Sequence, residues 1–344
     1  MRILSRTIPG TIMAAAIVAV LCVAGFAAIA VLQPPALPAR SPGPALCLTV
    51  GLYPEIIGAP IYVAESNGFF SENGLGVVTR KYGSGSGAAV ALARGDLDLG
   101  VMSEYVYAGR VLAGENISII ATIDKSQRIW LVGRRDHGVR GVADLVGKRT
   151  GVSRGTIGDF YLGRLAGRSG VDPGSIVVID IPPGQTAEAL LNGSMDAVIA
   201  GDAQVETLRN APPGSLTILP AQGDQLLLNV VAGRREWVEG HPEEARRFLL
   251  ALARAQEEMA ERPGPAQEIV ARELGSSIPA VVKAWPNHQF ALSLDQSLIT
   301  TMEDESRWMI RNNLTNATEV PDFRQYLYTD GLDTVRPGAV NIIR

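Results

Sequence analysis

The chain has 344 residues, 47% of them hydrophobic, which is enough to bury a large core and to build two lobes of ordinary domain size. Charged residues make up only 19% and the formal net charge is −4, a balance that argues against a phosphate-backbone partner and so against nucleic-acid binding. The two cysteines and the three histidines, His137, His241 and His288, fall in no pattern with metal-ligand spacing, so neither a metal nor another cofactor is expected.

From Thr11 to Leu32 the chain carries no charge, over a length that can span a hydrocarbon core of ~30 Å as a helix. Arg2 and Arg6 ahead of it favour an N-terminus left in the cytoplasm. Two readings stay open: a retained membrane anchor, or a signal peptide cleaved at the small residues around Ala28 and Ala30. Lipoprotein processing at Cys22 fits less well, because Leu21 stands where a small residue is needed. Each reading puts the body outside the cytoplasmic membrane, in the periplasm or on the membrane's outer face. Residues 33–44, with five prolines and no periodicity, read as an extended tether.

The folded body begins near Leu46. A short apolar strand to Leu52 leaves through Tyr53-Pro54-Glu55 and is followed by a helix over Ala59 to Asn67, with Pro60 acceptable in its first turn. A strand from Val77 then enters the glycine-serine loop Gly83 to Gly87, an alanine-rich helix to Arg94, a Gly95-Asp96 turn and a strand over Leu99 to Met102. A glycine-rich loop feeding a helix leaves the first-turn N–H groups unpaired above the sheet edge. Ser84 and Ser86 add hydroxyls there, and Ser103 can cap the next helix, whose first turn holds Glu104. Strands over Ile117 to Asp124 and Gln127 to Gly133 come next, and the charged, glycine-containing stretch Arg134 to Gly141 reads as a first crossing between lobes.

The pattern then recurs at an offset of about 100 residues: Gly151-Val152 echoes Gly51-Leu52, and Ala189 to Asp196 echoes Ala91 to Asp98. Arg154 to Gly158 forms a second loop opening onto a helix, with Gly155 and Thr156 at its entrance, and Asp202 comes directly after the strand Ala197 to Ala200. Leu226 to Ala232 reads as the return crossing, and the rest of the chain is helical, led by the amphipathic stretch Pro242 to Arg262. Strands alternating with helices predict an α/β fold with mostly parallel sheets, whose ligands bind beyond the carboxyl ends of the strands.

With these loops in order, the chain resembles the periplasmic solute-binding proteins of the nitrate, sulfonate and taurine group, a family that also contains binders of thiamine-pyrimidine precursors. The resemblance is carried by Gly51-Leu-Tyr-Pro54, Glu65 to Phe70, Gly83 to Asp98, Gly151 to Thr156, Leu190 to Ala197 and His241-Pro-Glu-Glu244, and covers roughly residues 46–330. It implies a type II periplasmic-binding fold: two α/β lobes joined by two crossover strands, with a helical C-terminal part. The expected division is an N-terminal segment 1–45, a discontinuous first lobe 46–135 and 232–344, and a second lobe 136–231. The resemblance also implies a monomer that closes on a small solute and hands it to the membrane subunits of an ABC permease, with no catalysis of its own. Carried over by position, the ligand-binding residues are Tyr53, Glu55, Ser84, Gly85, Ser86, Ser103, Glu104, Gly155, Thr156 and Asp202, although Ala203 replaces the proline that relatives often carry after the acidic residue.

Each of these has a plainer reading. The loop Gly83 to Gly87 fits a flexible turn, Ser103 and Thr156 fit helix caps, Glu55 fits a solvated proline turn, Glu104 fits complementation of a helix dipole, and Asp202 fits a salt bridge. The four tryptophans read as packing. Helix N-termini and hydroxyls suit an anion, whereas Glu55, Glu104 and Asp202 suit an amine or a protonated heterocycle; Arg154 pointing inward would favour the anion. Two other functions compete: a membrane-tethered solute sensor or scaffold, and an enzyme like the fungal pyrimidine synthases of this fold. Against the enzyme, the chain has no cysteine cluster, no G-x-S-x-G elbow and no histidine in a loop expected at the cleft.

Overall fold

Two sheets organise the chain between residues 46 and 343, the part that the computed structural model describes. The apolar segment 11–32 and the proline-rich tether lie outside the described residues, and among the described residues no helix is long and apolar enough to cross a membrane.

The first sheet starts with β1 (Leu46–Leu52), which leads through a loop to α1 (Ala59–Ser66), α2 (Phe69–Glu72) and β2 (Leu75–Lys81). The glycine-serine loop then opens α3 (Gly85–Arg94), β3 (Leu99–Ser103) comes after it, and α4 (Glu104–Leu112) connects to β4 (Ile117–Ser126). β1 pairs in parallel with both β2 and β3, so α1 and α3 are the crossover helices that parallel strands require.

The chain now changes sheets. β5 (Ile129–Arg134), β6 (Arg149–Val152), α5 (Ile157–Arg168), β7 (Val177–Asp180), α6 (Thr186–Leu191), β8 (Ala197–Gly201), α7 (Asp202–Leu208) and β9 (Leu216–Pro220) build the second sheet. β10 (Leu227–Arg234) returns to the first. After it come α8 (Arg235–Gly240), α9 (Pro242–Glu261), α10 (Pro263–Leu274), α11 (Ile278–Ala284), the short strand β11 (His288–Gln289) and α12 (Gln296–Arg311).

The strand orders, β2-β1-β3-β10-β4-β11 and β7-β6-β8-β5-β9, have the same logic. Three parallel strands are joined by an antiparallel one that has arrived from the other sheet, β10 in the first and β5 in the second. The repeated sequence builds repeated details. Asp98 Oδ2 accepts the Thr49 N–H at 2.7 Å, and Asp196 Oδ2 accepts the Arg149 N–H at 2.8 Å, each tying the residue just ahead of one strand to the strand beside it. Gly51 and Gly151 hold equivalent close approaches, since a Cβ would lie 2.2 Å from Leu97 Cδ1 at the first and 2.4 Å from Ile181 Cδ1 at the second.

The first crossing is not at the charged stretch, and Leu226 to Ala232, read as the return crossing, is almost wholly strand β10 of the first sheet. Arg134 to Gly141 is a turn within the second sheet, where the Arg134 guanidinium bonds Asp136 and the Leu190 carbonyl and His137 bonds Asp196 at 2.7 Å. The chain passes between sheets at residues 127–128 and again at 221–226. Charges and glycine mark a solvated turn equally well, and here they do.

The C-terminal helices cover the first sheet. α9 buries Phe248, Leu249 and Leu252 completely, and the Phe248 ring stacks on Phe70 at 5.4 Å. Each such side chain contributes about 1.5–3 kcal/mol by burial. α12 instead turns toward the second sheet: Trp308 packs edge-on against Phe160 of α5 at 5.6 Å, and Arg164 of α5 pairs with Asp304.

Candidate functional site

A cavity of about 650 Å³ lies along the seam between the sheets. Its walls come from the loop after β1 (Pro54, Glu55), from Arg128 and Trp130 at the first crossing, from α7, and from the α10–β11 region. It is of the size that takes a small organic ligand.

Arg128 is the centre of the inner wall. It is 9% exposed, its guanidinium pairs with Glu55, and its Nη2 donates to Tyr53 Oη at 3.3 Å. Tyr53 Oη donates in turn to Asn229 Oδ1 at 3.3 Å, and Asn229 Nδ2 donates to Asp124 Oδ2 at 2.9 Å. The chain ends on His288, whose Nδ1 lies 3.0 Å from Asp124 Oδ1. Asp124, Asn229 and His288 are all buried, so this row of polar groups threads the first sheet and reaches the cavity at both ends, at Arg128 and at His288. When Nδ1 carries the proton toward Asp124, the imidazole presents the lone pair of Nε2.

On the opposite wall Asp202 opens α7. Trp130 Nε1 donates to Asp202 Oδ1 at 2.7 Å, while Oδ2 has no hydrogen-bond partner of normal geometry. Burial pushes the Asp202 carboxyl above its ordinary range, against the stabilising effects of the Trp130 N–H and the nearby Arg128 charge. Toward the outside, Lys283 of α11 meets Glu206 of α7 at 2.9 Å, an ion pair that spans the rim.

Of the ten expected ligand residues, the structure brings Glu55 and Asp202 to this cavity. Tyr53 stands just behind it, holding Arg128. Gly85 packs at Tyr53's back, where a Cβ would come within 3.1 Å of the ring, and Ser103 is the strand partner of Asn229. Glu104 is fully buried and lies instead toward Glu305 of α12 and Tyr161 of α5. The remaining four do not line the cavity. Ser84 Oγ accepts the Gly87 N–H at 3.2 Å and Thr156 Oγ1 the Gly158 N–H at 3.3 Å, both as helix caps; Ser86 is exposed, and Gly155 adopts a left-handed turn with φ of 68°.

Arg154 faces solvent with half its side chain exposed. His288 and Trp130 were legible only as isolated residues, yet both line the cavity. For His288 the reason is topological: β11 pairs with β4 at the edge of the first sheet, a contact between residues 164 apart that no local pattern announces. Among the described residues no group of three or more His, Cys, Asp or Glu side chains is placed to hold a metal.

Comparison with known proteins places this geometry. A family model described as NMT1/THI5 like matches residues 57–266. A protein of Brucella abortus (strain 2308), provisionally described as a binding protein, is 25% identical over 215 residues, 62% of this chain and 66% of the relative, so the match spans just under two thirds of the relative's length. The 4-amino-5-hydroxymethyl-2-methylpyrimidine phosphate synthase of Legionella pneumophila is 26% identical over 134 residues, 39% of this chain and 42% of that enzyme. The crystal structure of the periplasmic aliphatic sulphonate binding protein SsuA from Escherichia coli superimposes with a TM-score of 0.70 at 16% identity, covering 82% of this chain and 97% of that one. The fold is therefore that of the periplasmic binding proteins, and the chain belongs to the NMT1/THI5-like family.

Proposed function

We propose that the protein is the extracytoplasmic solute-binding component of an ABC import system, closing two lobes on a small organic solute and delivering it to a permease. The observation that carries this reading is the seam cavity, whose walls come from both sheets, with only two short crossings between those sheets. In this reading the first lobe is built on the sheet around β1 and the second on the sheet around β6. A closed state that holds solute more tightly than an open one is populated by solute. The charged N-terminal flank and apolar segment fit export, and the monomeric state comes from the family resemblance.

The solved neighbour binds aliphatic sulphonates, so sulfonates, nitrate and taurine belong in the first screen, beside aminopyrimidines, amino acids and polyamines. A solute at 100 times its dissociation constant should add roughly 2.7 kcal/mol to stability and raise the melting temperature visibly. A complete screen without any shift would count against solute binding and favour a tethered scaffold. The similarity to the Legionella synthase supports a second reading, an enzyme in which the His288–Asp124 pair would act as base. Conversion of a bound compound during incubation, detected by mass spectrometry, would favour it; recovery of the compound unchanged favours the binding protein.

A further inference from the structure

We infer that the seam cavity selects a solute bearing a protonated nitrogen with N–H donors, held by Asp202 and His288 and covered by the Trp130 indole. The inference rests on the solute-binding reading and names the chemistry of its ligand.

Counted from the inside outward, the charges of the cavity leave a negative group unmatched. Among the described residues of the inner wall Arg128 is the one cation, and Glu55 neutralises it. Asp202 then remains with one hydrogen bond of normal geometry, from Trp130 Nε1, with weaker support from the Arg128 charge and the Asn287 amide, and with Oδ2 unpartnered. Across the cavity His288 is backed by the buried Asp124, so the histidine side also contributes acceptor character and a negative charge behind it. The balancing positive charge of the cavity sits elsewhere. Arg209 and Lys283 share Glu206, but their side chains are 42% and 53% exposed, where solvent and salt screen them.

An anion entering this cavity would meet a guanidinium already occupied by Glu55 and a carboxylate whose nearby cation, Arg128, is the one that Glu55 already holds. A cation with N–H groups completes what is missing: one hydrogen bond to Asp202 Oδ2, one to His288 Nε2, and the face of an aromatic ring. A charge-assisted bond to a largely buried carboxylate is among the stronger polar contacts available to a small ligand, and an indole face adds attraction for the same charge. The solute class is thus set by the groups left unpaired, and it differs from the sulphonate named for the solved neighbour.

Titration calorimetry on the full-length chain tests this with two matched sets of probes, putrescine, agmatine and ethanolamine against ethanesulfonate and nitrate. The expected result is binding within the amine set, weakened by about tenfold or more in Asp202→Asn and by several-fold in His288→Gln. Asp202→Asn keeps an Oδ1 acceptor for Trp130, so its unliganded melting temperature should match the parent's, which separates a lost contact from a lost fold. Amine binding that survives Asp202→Asn unchanged would overturn the inference. Binding confined to the anions would also overturn it while leaving the solute-binding reading intact, and silence of both sets would count against both.

Discussion

The melting temperature of the protein will fall as the pH is raised from about 5 to about 9, and Glu104→Gln will remove a large part of that fall. Glu104 of α4 and Glu305 of α12 are both fully buried, and their carboxyl oxygens have no side-chain partner. Burial pushes Glu104 up to about 8, against the backbone N–H groups near it and with Asp124 adding to the rise. Burial also raises Glu305 well above its ordinary range, helped by repulsion from Glu104 and Asp304 and opposed by Arg164. The folded protein therefore keeps protons that the unfolded chain, with ordinary carboxylates, has released. Stability from this source is complete below the unfolded value of about 4.3. It is lost as the pH rises through about 8. Each raised unit is worth ~1.4 kcal/mol, so the loss over the window is on the order of a few kcal/mol.

Glutamine has the shape of the protonated acid and does not titrate, so Glu104→Gln removes the Glu104 share and also the repulsion that adds to the rise of Glu305. Scanning calorimetry across the window reads the effect. Groups with depressed values, such as Glu243 beside Arg246 and Arg247, lose their contribution only at lower pH and do not blur it. Parallel curves for the parent and Glu104→Gln would contradict this origin of the pH dependence.

Gln222→Ala should cost about 3 kcal/mol or more and lower Tm by roughly 5–10 °C. Gln222 is 2% exposed and lies in the return crossing, yet its amide bonds the outgoing one. Oε1 accepts the Arg128 and Ile129 N–H groups at 2.6 and 2.8 Å, and Nε2 donates to the Ser126 carbonyl at 2.9 Å and to the Gln225 carbonyl at 3.1 Å. One side chain thus ties the two strands of the connection together and satisfies backbone groups that burial would otherwise leave unpaired. Alanine orphans all four, and each buried orphan costs about 1–3 kcal/mol. Gln222→Glu keeps the acceptor and loses the donors, so it should fall between. A loss below about 0.5 kcal/mol for the alanine variant would place the mechanical link between the sheets elsewhere.

The repeated architecture was legible because its causes are local. Glycine at the close approaches, aspartate at the strand starts and serine or threonine at the caps each act over a few residues, and they recur at one offset. The crossings were not legible for the same reason: Gln127 and Arg128 carry no glycine or proline, and the residue that holds them, Gln222, is about 95 positions away. The cavity divides likewise. Glu55 and Asp202 come directly after strands and could be placed. His288 and Trp130 reach the cavity through sheet pairing and could not, and Glu305 hides within the apolar face of an ordinary amphipathic helix.

If solute holds two lobes together across the seam, hydrogen–deuterium exchange will register it far from the solute itself. With a solute that shifts the melting temperature, amide exchange should slow in α5 and α12, which meet through Phe160, Trp308 and the Arg164–Asp304 pair well away from the cavity lining, as well as in the segments that touch solute. Protection limited to the cavity-lining segments of one lobe, with α5 and α12 exchanging as they do without solute, would contradict closure as the working motion of this protein.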